Sequence, residues 1–429
     1  MQDAPTKPTA GRGRSLAPLR LTGFKQLAGA YTINELGNWI GEIALAVLVF
    51  DQTGSPLATA ALFLGMQFAP AFVGQAVVAR LEVTGTRIVL PGLYVAEAAT
   101  FVVLALTADN FSLPLVVALA VVDGTLAIAA RTFTRAAAAA VLGPSGHLRE
   151  GNAIINVGFT GAGAAGPAIA GVVVAALGVQ AALLIDAASF VAVALTLAAT
   201  SLPEVKAEKE SWVERLREGL AYVRRRVALQ RLLGVQAFAF IFFTLVLPIE
   251  IVYAKETLDV GDSGYGALLS AWGIGMVLGS LLFIATARRT TLPGQLLLST
   301  ALIGFAYLGM AVAGNLTVAC AAAAAGGLGN GIQWVSVMSG VQELTAPRYQ
   351  ARVVGLLESI GMLMPGIGFI LGGVIAEVLD PRASFFAAGG GVLLVVAIAS
   401  VLLRDIDWTP EGEPAAAVEG AAVGDLSRL

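Results

Sequence analysis

Three polar residues recur at helical spacing in an apolar stretch close to the N-terminus. Glu35, Asn38 and Glu42 are three and four residues apart, so a helix places all three on one face. Apolar surroundings disfavour the charged form of a carboxylic acid, and such a group can therefore take up and release a proton near neutral pH. We interpret Glu35 and Glu42 as candidates for proton binding and Asn38 as a candidate for the wall of a substrate cavity. The alternative is a polar face satisfied by neighbouring helices.

A second set of ionisable residues lies in the apolar run 113–136. Asp123 is about ten residues into that run, near the middle of a membrane-spanning helix, and is the third candidate for proton binding. Arg131 and Arg135 lie one turn apart near its end, where long side chains often extend their charges to the lipid headgroups. Alternatively, Arg131 pairs with Glu35 or Asp123 in an ion pair that a proton or a substrate can break.

The second half of the chain offers fewer polar groups and more aromatic ones. Gln236 and Phe242 lie in the run 232–254, and Asn330, Gln333 and Trp334 lie in the run 316–341. A greasy cavity with a few polar groups fits an amphipathic organic ligand, although Phe side chains in membranes also face lipid or pack. We expect Glu250, near the end of its run, in an outer vestibule or at its rim.

The composition excludes several classes of protein. Hydrophobic residues make up 57% of the 429 residues and charged residues 13%, whereas soluble domains carry about 25% charged residues. The net charge of −3 gives no reason to expect a nucleic-acid partner. One cysteine, Cys320, and one histidine, His147, exclude an ordinary cysteine- or histidine-based metal cluster. We therefore expect an all-α membrane protein with no metal and no cofactor.

Twelve apolar runs are long enough to cross about 30 Å of hydrocarbon as helices. We number them spans 1 to 12, and they cover residues 26–50, 57–79, 88–107, 113–136, 152–177, 180–201, 232–254, 264–286, 292–313, 316–341, 353–378 and 384–403.

The distribution of Lys and Arg predicts the orientation of these spans. If both termini are cytoplasmic, only Lys255 and Arg382 of the 26 cations lie outside, and Arg131 and Arg135 lie within span 4. This predicts a multi-pass protein of the inner (cytoplasmic) membrane. It predicts a cytoplasmic tail (1–23), a six-helix bundle (24–201), a cytoplasmic amphipathic linker (202–231), a second six-helix bundle (232–404) and a disordered cytoplasmic tail (405–429).

The two halves repeat each other weakly. Residues 86–92 (TRIVLPG) match residues 288–294 (RRTTLPG) with an offset of 202, and Pro167 in span 5 matches Pro365 in span 11 with an offset of 198. Similar offsets at two places indicate duplication and predict two pseudo-symmetric six-helix bundles around a central site.

Along residues 24–404, the order and spacing of several short motifs resemble the major facilitator superfamily, and within it the drug-exporter branch that includes enterobactin and macrolide exporters. The matching pieces are Gly37-Asn38 in span 1, Thr53-Gly54-Ser55 after it, Gly151-Asn152-Ala153 before span 5, Asp186-Ala187-Ala188-Ser189-Phe190 in span 6, Tyr265-Gly266 with Gly275 and Gly279 in span 8, and Gln342, Pro347 and Arg352-Val353 between spans 10 and 11.

The resemblance implies gating and structural roles for several residues. Gly74, Glu82 and Arg87 follow the superfamily's loop motif between spans 2 and 3, but Val83 replaces its arginine. Gly166 and Pro167 resemble the antiporter motif of span 5, and Arg135, Asp186 and Arg352 match family positions. Ala120 stands where neighbouring proton-linked exporters carry an arginine.

The resemblance implies a secondary exporter of a small amphipathic compound, drug or siderophore-like, that works by alternating access and proton antiport. Its expected partners are the substrate, protons and the lipid bilayer, and we expect a monomer that is not an enzyme. No ATP-binding Gly-x-x-x-x-Gly-Lys-Ser/Thr run is present. The alternatives are an importer of a metabolite or sugar and a non-transporting membrane sensor. The sequence leaves the substrate, the coupling ion and the direction of transport open.

Overall fold

Every regular element in the described part of the chain is a helix. The computed structural model describes residues 17–81, 85–203, 212–286, 290–404 and 406. The first-half helices are Thr22–Thr53 (span 1), Pro56–Phe63 continued through a π-turn Leu64–Phe68 into Ala69–Leu81 (span 2), Thr86–Thr107 (span 3), Leu113–Leu142 (span 4) and Leu148–Ala198 (spans 5 and 6). Short 3-10 turns at Ala17–Arg20 and Ala108–Asn110 flank spans 1 and 3.

The second half is also built from helices. The short helix Trp212–Val223 precedes it. Span 7 is Val227–Thr244, continued by the turns Leu247–Ile249, Glu250–Val252 and Tyr253–Thr257, and spans 8 to 12 are Gly261–Thr286, Leu292–Val312, Leu316–Glu343, Gln350–Val378 and Pro381–Leu402, with a 3-10 turn Pro347–Tyr349 before span 11.

Length and apolarity qualify ten of the described helices as membrane spans. One of these, Leu148–Ala198, has 51 residues and a non-helical break at Gly178 (φ 82°, ψ 166°). An unbroken helix of that length would measure about 76 Å, more than twice the hydrocarbon thickness, so the break divides it into two crossings. Leu316–Glu343 is long enough at 28 residues but carries more glycine and polar side chains. Counting it gives the twelve crossings expected from the sequence.

Local sequence sets where the spans begin and end. Ser55, Thr291, Asn315 and Asp380 each accept a hydrogen bond at a helix N-terminus from the backbone N–H three residues later. Proline follows within two residues at three of these four starts, where its missing N–H costs nothing. Gly54 ends span 1 in the left-handed conformation (φ 60°). These signals fix the turns that bring consecutive spans side by side.

The two halves meet along two symmetric pairs of helices. Span 5 packs on span 8, and span 11 packs on span 2. Because spans 2 and 8 occupy equivalent places in the two repeats, as do spans 5 and 11, the two contacts are counterparts under a two-fold axis. The offset between Pro167 and Pro365 in the sequence corresponds to this relation. The repeat therefore accounts for how the halves are joined as well as for how each is built.

Glycine makes these interfaces close enough for backbone contact. Gly171 of span 5 faces Gly266 of span 8, and a Cβ on either would lie 2.9 Å from the Cα of the other. In the second half, Gly275 and Gly279 of span 8 face the backbone of span 10, while Gly327 of span 10 faces the carbonyl of Trp272. Between helices in lipid, such close packing replaces the hydrophobic driving force that water provides.

The helix Trp212–Val223 lies against the second bundle. The Nε atom of Arg352 at the start of span 11 is 2.6 Å from Oε2 of Glu218. The rings of Tyr222 and Tyr349 stack with centroids 4.3 Å apart, and the Tyr222 hydroxyl accepts a hydrogen bond from the N–H of Ala346 at 3.0 Å. The segment thus has contacts to one bundle that fix its position, in addition to the amphipathic pattern noted in the sequence.

The close packing of spans 8 and 10 predicts the effect of a bulky residue there. We expect Gly327→Leu to destabilise the protein by about 1–3 kcal/mol or more, because the side chain must displace backbone atoms. Gly390→Leu in span 12 is the matched control, since a Cβ there meets nothing within 4 Å. Thermal unfolding of both purified variants measures the difference, and equal unfolding midpoints would contradict the packing described.

Candidate functional site

A large cavity, which we call the central cavity, lies between the two halves. Its volume is about 390 Å3, and residues of both halves line it. The first half contributes Glu35, Asn38, Trp39, Glu42, Ile43, Phe63, Met66, Gln67, Phe101, Asp123, Gly124, Ala127, Ile128, Arg131 and Phe159, and the second contributes Leu247, Glu250, Tyr265, Leu269, Gly361, Met362 and Pro365. Such a mixture of apolar and aromatic walls with a few charged groups is typical of sites for organic ligands.

The structure brings together five of the residues singled out in the first half. Glu35, Asn38 and Glu42 of span 1 and Asp123 and Arg131 of span 4 all line the cavity. The Nε atom of Arg131 lies 4.0 Å from Oε1 of Glu35, at the limit of an ion pair. The Glu35 side chain is 5% exposed and that of Arg131 is 47% exposed. A long, half-solvated pair of this kind holds its partners weakly, so it can be broken readily.

Glu250 is the main acidic group that the second half contributes. The sequence placed it in an outer vestibule or at the rim, whereas the structure buries it to 6% exposure in the cavity wall. The physical reason is the irregular course of span 7. Its regular helix stops at Thr244, and a 3-10 turn containing Pro248 and a π-turn at Tyr253–Thr257 follow. Sequence periodicity assumes a straight helix and cannot give the direction of a side chain beyond such a break.

The other residues singled out in the second half lie away from the central cavity. Gln236 and Gln333 are buried and join spans 7 and 10, because the Nε2 of Gln333 donates to Oε1 of Gln236 at 2.7 Å. With Asn330 and Trp334 they line a separate cavity of about 30 Å3 inside the second bundle. Phe242 contacts Gly391 of span 12 within the same bundle. The hydrogen bond between the two glutamines satisfies groups that the sequence alone left free to bind a ligand.

The motif residues of the first half are mostly packing groups. Asp186 is fully buried in span 6, where its Oδ1 accepts from the Ser189 hydroxyl at 3.1 Å. Its carboxylate abuts Gly37 and Gly41 of span 1, so a side chain at either glycine would collide with it. Gly74 of span 2 leaves room for Ile128 of span 4.

The span 5 motif lies at the contact between the halves. Gly166 makes room for the ring of Trp39, and the carbonyl of Pro167 faces Gly266 of span 8. Arg87 hydrogen-bonds the Ser201 hydroxyl at 3.4 Å. Glu82 lies outside the described residues. Pro167 thus lies at an interface that must slide or tilt if the halves move, whereas Gly166 packs within the first half.

One buried acid went unnoticed in the sequence. Glu97 of span 3 is 1% exposed, and its Oε2 has no hydrogen-bond partner among the described residues. The signal was present, since an ionisable residue within a predicted span is a functional candidate by default. Glu97 does not line the cavity but lies within electrostatic range of Asp123 and Asp186. The first bundle therefore contains more buried acid than the pattern on span 1 indicated.

Polar contacts join the halves at one end of the cavity. Nζ of Lys255, in the π-turn that ends span 7, lies 2.5 Å from Oδ1 of Asp51 in span 1 and 2.7 Å from Oδ1 of Asp262 in span 8. Oε2 of Glu377 in span 11 accepts from the Ser55 hydroxyl at 2.8 Å and from the Leu57 N–H at 3.3 Å. The contact between Lys255 and Asp51 and the two contacts of Glu377 cross from one half to the other and tie the halves together at this end, whereas Asp262 belongs to the same half as Lys255.

At the opposite end, one long ion pair joins the halves in the part of the chain that the structure describes. There Nη1 of Arg135 in span 4 lies 3.9 Å from Oε1 of Glu358 in span 11, and the two side chains are 66% and 49% exposed. Solvent screens such a pair, and its contribution is small. The contact between Arg135 and Glu358 is therefore weaker than the contacts around Lys255.

Comparison with known proteins decides the family. The family described as transmembrane secretion effector matches residues 13–417. The chain belongs to this family. This confirms the resemblance to the major facilitator superfamily and its exporter branch, and the family is one of membrane transporters, not enzymes.

Relatives of this chain are described as an efflux pump and as a transporter. Multidrug efflux pump Tap of Mycobacterium tuberculosis (strain ATCC 25618 / H37Rv) is 27% identical over 88% of this chain and 93% of its own length. The Tap pump of Mycolicibacterium fortuitum is 27% identical over 59% of this chain, and the match spans 63% of that relative. An uncharacterized MFS-type transporter, YfiS of Bacillus subtilis (strain 168), is 24% identical over 87% of this chain and 91% of its own.

Solved structures confirm the all-α major facilitator fold. The nucleoside transporter NupG superposes with a TM-score of 0.70 at 13% identity, covering 89% of this chain and 99% of NupG. A bacterial homologue of the human lysosomal transporter Spinster, in an inward-facing and unoccupied conformation, gives a TM-score of 0.64 at 16% identity over 90% of this chain and 95% of its own. At these identities the likeness concerns the fold alone.

The ion cluster around Lys255 predicts a shift in conformation when it is removed. We expect Lys255→Met to open that end, because Asp51 and Asp262 are then left as neighbouring like charges. Spin labels on Asp109→Cys and Gly314→Cys, in a Cys320→Ala background, report the distance between the halves there. The distribution should move to longer distances in Lys255→Met, whereas the exposed Glu256→Gln leaves it unchanged. An unchanged distribution in Lys255→Met would show that the cluster does not hold the end closed.

Proposed function

We propose that the protein exports a small amphipathic organic compound, drug or siderophore-like, by alternating access coupled to proton antiport. The observation that carries the proposal is the cavity between the two halves, which is closed at one end by polar contacts and contains carboxyl groups beside an apolar and aromatic wall. Relatives named as multidrug efflux pumps support export over uptake. The aromatic wall favours an amphiphile over a sugar, whose hydroxyls would need many polar partners.

We propose that the cavity opens toward the end bearing Arg135, where the contacts between the halves are weaker among the described residues, and the orientation inferred from the positive charges makes this the inward side. The end bearing Arg135 then faces the cytoplasm, and the end bearing Lys255 faces outward. We take the chain to be a monomer in the inner membrane. It is divided into a cytoplasmic tail (1–23), a six-helix bundle (24–201), a cytoplasmic linker (202–231), a second six-helix bundle (232–404) and a second cytoplasmic tail (405–429).

The pair of Glu35 and Arg131 supplies a coupling step. A proton that binds Glu35 removes its charge, so the attraction across the 4.0 Å separation is lost and Arg131 is released. Substrate and proton then bias opposite conformations, since a ligand shifts an equilibrium only by binding one state better than the other. Asp123 in the same wall is a second group that can carry the exchanged proton. No nucleotide is needed in this scheme because the gradient provides the energy.

Transport in everted membrane vesicles tests proton coupling directly. We expect a fluorescent amphiphile to accumulate in vesicles that contain the protein when the lumen is acidic, because protons leaving the lumen drive the substrate inward. Vesicles from cells that lack the protein are the control, and a protonophore should abolish the accumulation. If accumulation is the same with and without the gradient, the antiport part of the proposal fails.

The role of Glu35 is tested by a single change. We expect Glu35→Gln to reduce gradient-driven accumulation to about the level without a gradient, because glutamine has nearly the same shape but no carboxyl group that could carry a proton or pair with Arg131. Glu343→Gln, exposed at the end of span 10, is the matched control and should transport like the unmodified protein. Equal amounts of each variant in the membrane are verified by immunoblot. Normal coupling in Glu35→Gln would exclude this residue from the mechanism.

A further inference from the structure

The wall of the central cavity carries more negative than positive charge. Four carboxyl groups line it, from Glu35, Glu42, Asp123 and Glu250, and Arg131 is the one cation in the described lining. Arg131 is directed to Glu35. The other three acids therefore face a cavity in which a positively charged group would find partners.

Glu42 and Glu250 stand out because they come from opposite halves. Glu42 lies on span 1, about 10 Å along the helix from Glu35, and Glu250 lies in the irregular part of span 7. They lie within electrostatic range of each other. In the described part of the chain, neither takes part in an ion pair. Glu42 and Glu250 thus line the same cavity without a cationic partner among the described residues.

Glu250 also has a buried oxygen without a partner. The residue is 94% buried, and its Oε2 makes no hydrogen bond among the described residues. A buried polar oxygen destabilises the structure unless a counter-charge or a hydrogen-bond donor meets it. Since Glu250 lines the cavity, a ligand in the cavity can supply that partner.

Aromatic rings complete the surroundings of the two acids. Trp39, Phe63, Phe101 and Tyr265 line the same cavity. Ring faces attract cations as well as apolar groups, and the attraction is strongest where water is excluded. A cavity that combines two unpaired carboxylates with ring faces is suited to a positive charge spread over an apolar body.

We infer that Glu42 and Glu250 together bind the charged group of a lipophilic organic cation, which is the substrate class of the exporter. This inference rests on the proposed function and names its substrate. Because the two acids belong to different halves, a cation between them is held from both sides, and its binding depends on the relative position of the halves. Any proton on the two acids has to leave when the cation binds, which links the site to proton exchange.

A matched pair of ions tests the charge requirement. Tetraphenylphosphonium and tetraphenylborate have nearly the same size and shape and carry opposite charge. We expect the purified protein in lipid nanodiscs to bind radiolabelled tetraphenylphosphonium saturably and to bind tetraphenylborate at least about ten-fold more weakly, because like charges repel in the cavity. Equal binding of both ions, or no saturable binding of the cation, would overturn the inference.

Variants of the two acids test the assignment to residues. Glu42→Gln and Glu250→Gln should each weaken binding of tetraphenylphosphonium by about ten-fold or more, since each removes one partner of a poorly solvated charge. Glu256→Gln, exposed and six residues from Glu250, is the control and should bind within about two-fold of the unmodified protein. Thermal unfolding verifies that every variant is folded. Undiminished cation binding by both cavity variants would contradict the assignment.

The binding result is separable from the proposed function. If vesicles accumulate a neutral amphiphile in a gradient-dependent way but the protein does not bind tetraphenylphosphonium, the exporter proposal stands and the cation site is wrong. If the cation binds through Glu42 and Glu250 but no compound moves across the membrane, the site stands and the exporter proposal fails.

Discussion

The need to hold carboxyl groups inside an apolar helix assembly constrains this structure most strongly. A charged carboxylate in hydrocarbon is expensive, so acidic residues within spans face the interior, a partner or a water-filled space. Glu35, Glu42, Asp123 and Glu250 all satisfy this condition by lining one cavity between the halves. Asp186 satisfies it differently, by packing against span 1 and accepting a hydrogen bond from Ser189. Four acids thus belong to the cavity wall, and Asp186 belongs to the packed interior of the first bundle.

The interface between the halves has glycine contacts along the spans and charged contacts at its ends. Along the spans, small residues such as Gly171 and Gly266 allow backbones to touch, which gives a smooth surface without interlocking side chains. At the end that carries Lys255, ion pairs and hydrogen bonds tie the halves together. At the other end, Arg135 and Glu358 are largely exposed. A smooth middle with polar contacts confined to the ends suits two bundles that tilt against each other.

The central cavity and the small cavity of the second bundle differ in what satisfies their polar groups. In the small cavity of the second bundle, Gln236 and Gln333 are hydrogen-bonded to each other, which leaves their amides fewer free sites for a ligand. In the central cavity, the Oδ1 of Asp123 and the Oε2 of Glu250 have no partner in the described structure. Unsatisfied buried polar atoms cost free energy, and they mark the place where a ligand or a proton brings the largest gain.

The sequence by itself determined the all-helical membrane fold, the positions of the spans and the shared face of Glu35, Asn38 and Glu42. It could do so because apolar run length, helical spacing and side-chain caps are local properties of the chain. Gly54, Ser55 and Pro56 illustrate this, since the end of one span and the start of the next follow from three adjacent residues.

Only the tertiary structure decided which polar residues share a space. Glu250 lines the central cavity because the regular helix of span 7 ends before it. Gln236 does not line that cavity and is hydrogen-bonded instead to Gln333 of span 10. Lys255 meets Asp51 across 204 positions of the chain, and no local pattern contains that pairing. The direction of a side chain beyond a helix break and the identity of its partner depend on how whole helices pack, which periodicity along one helix does not encode.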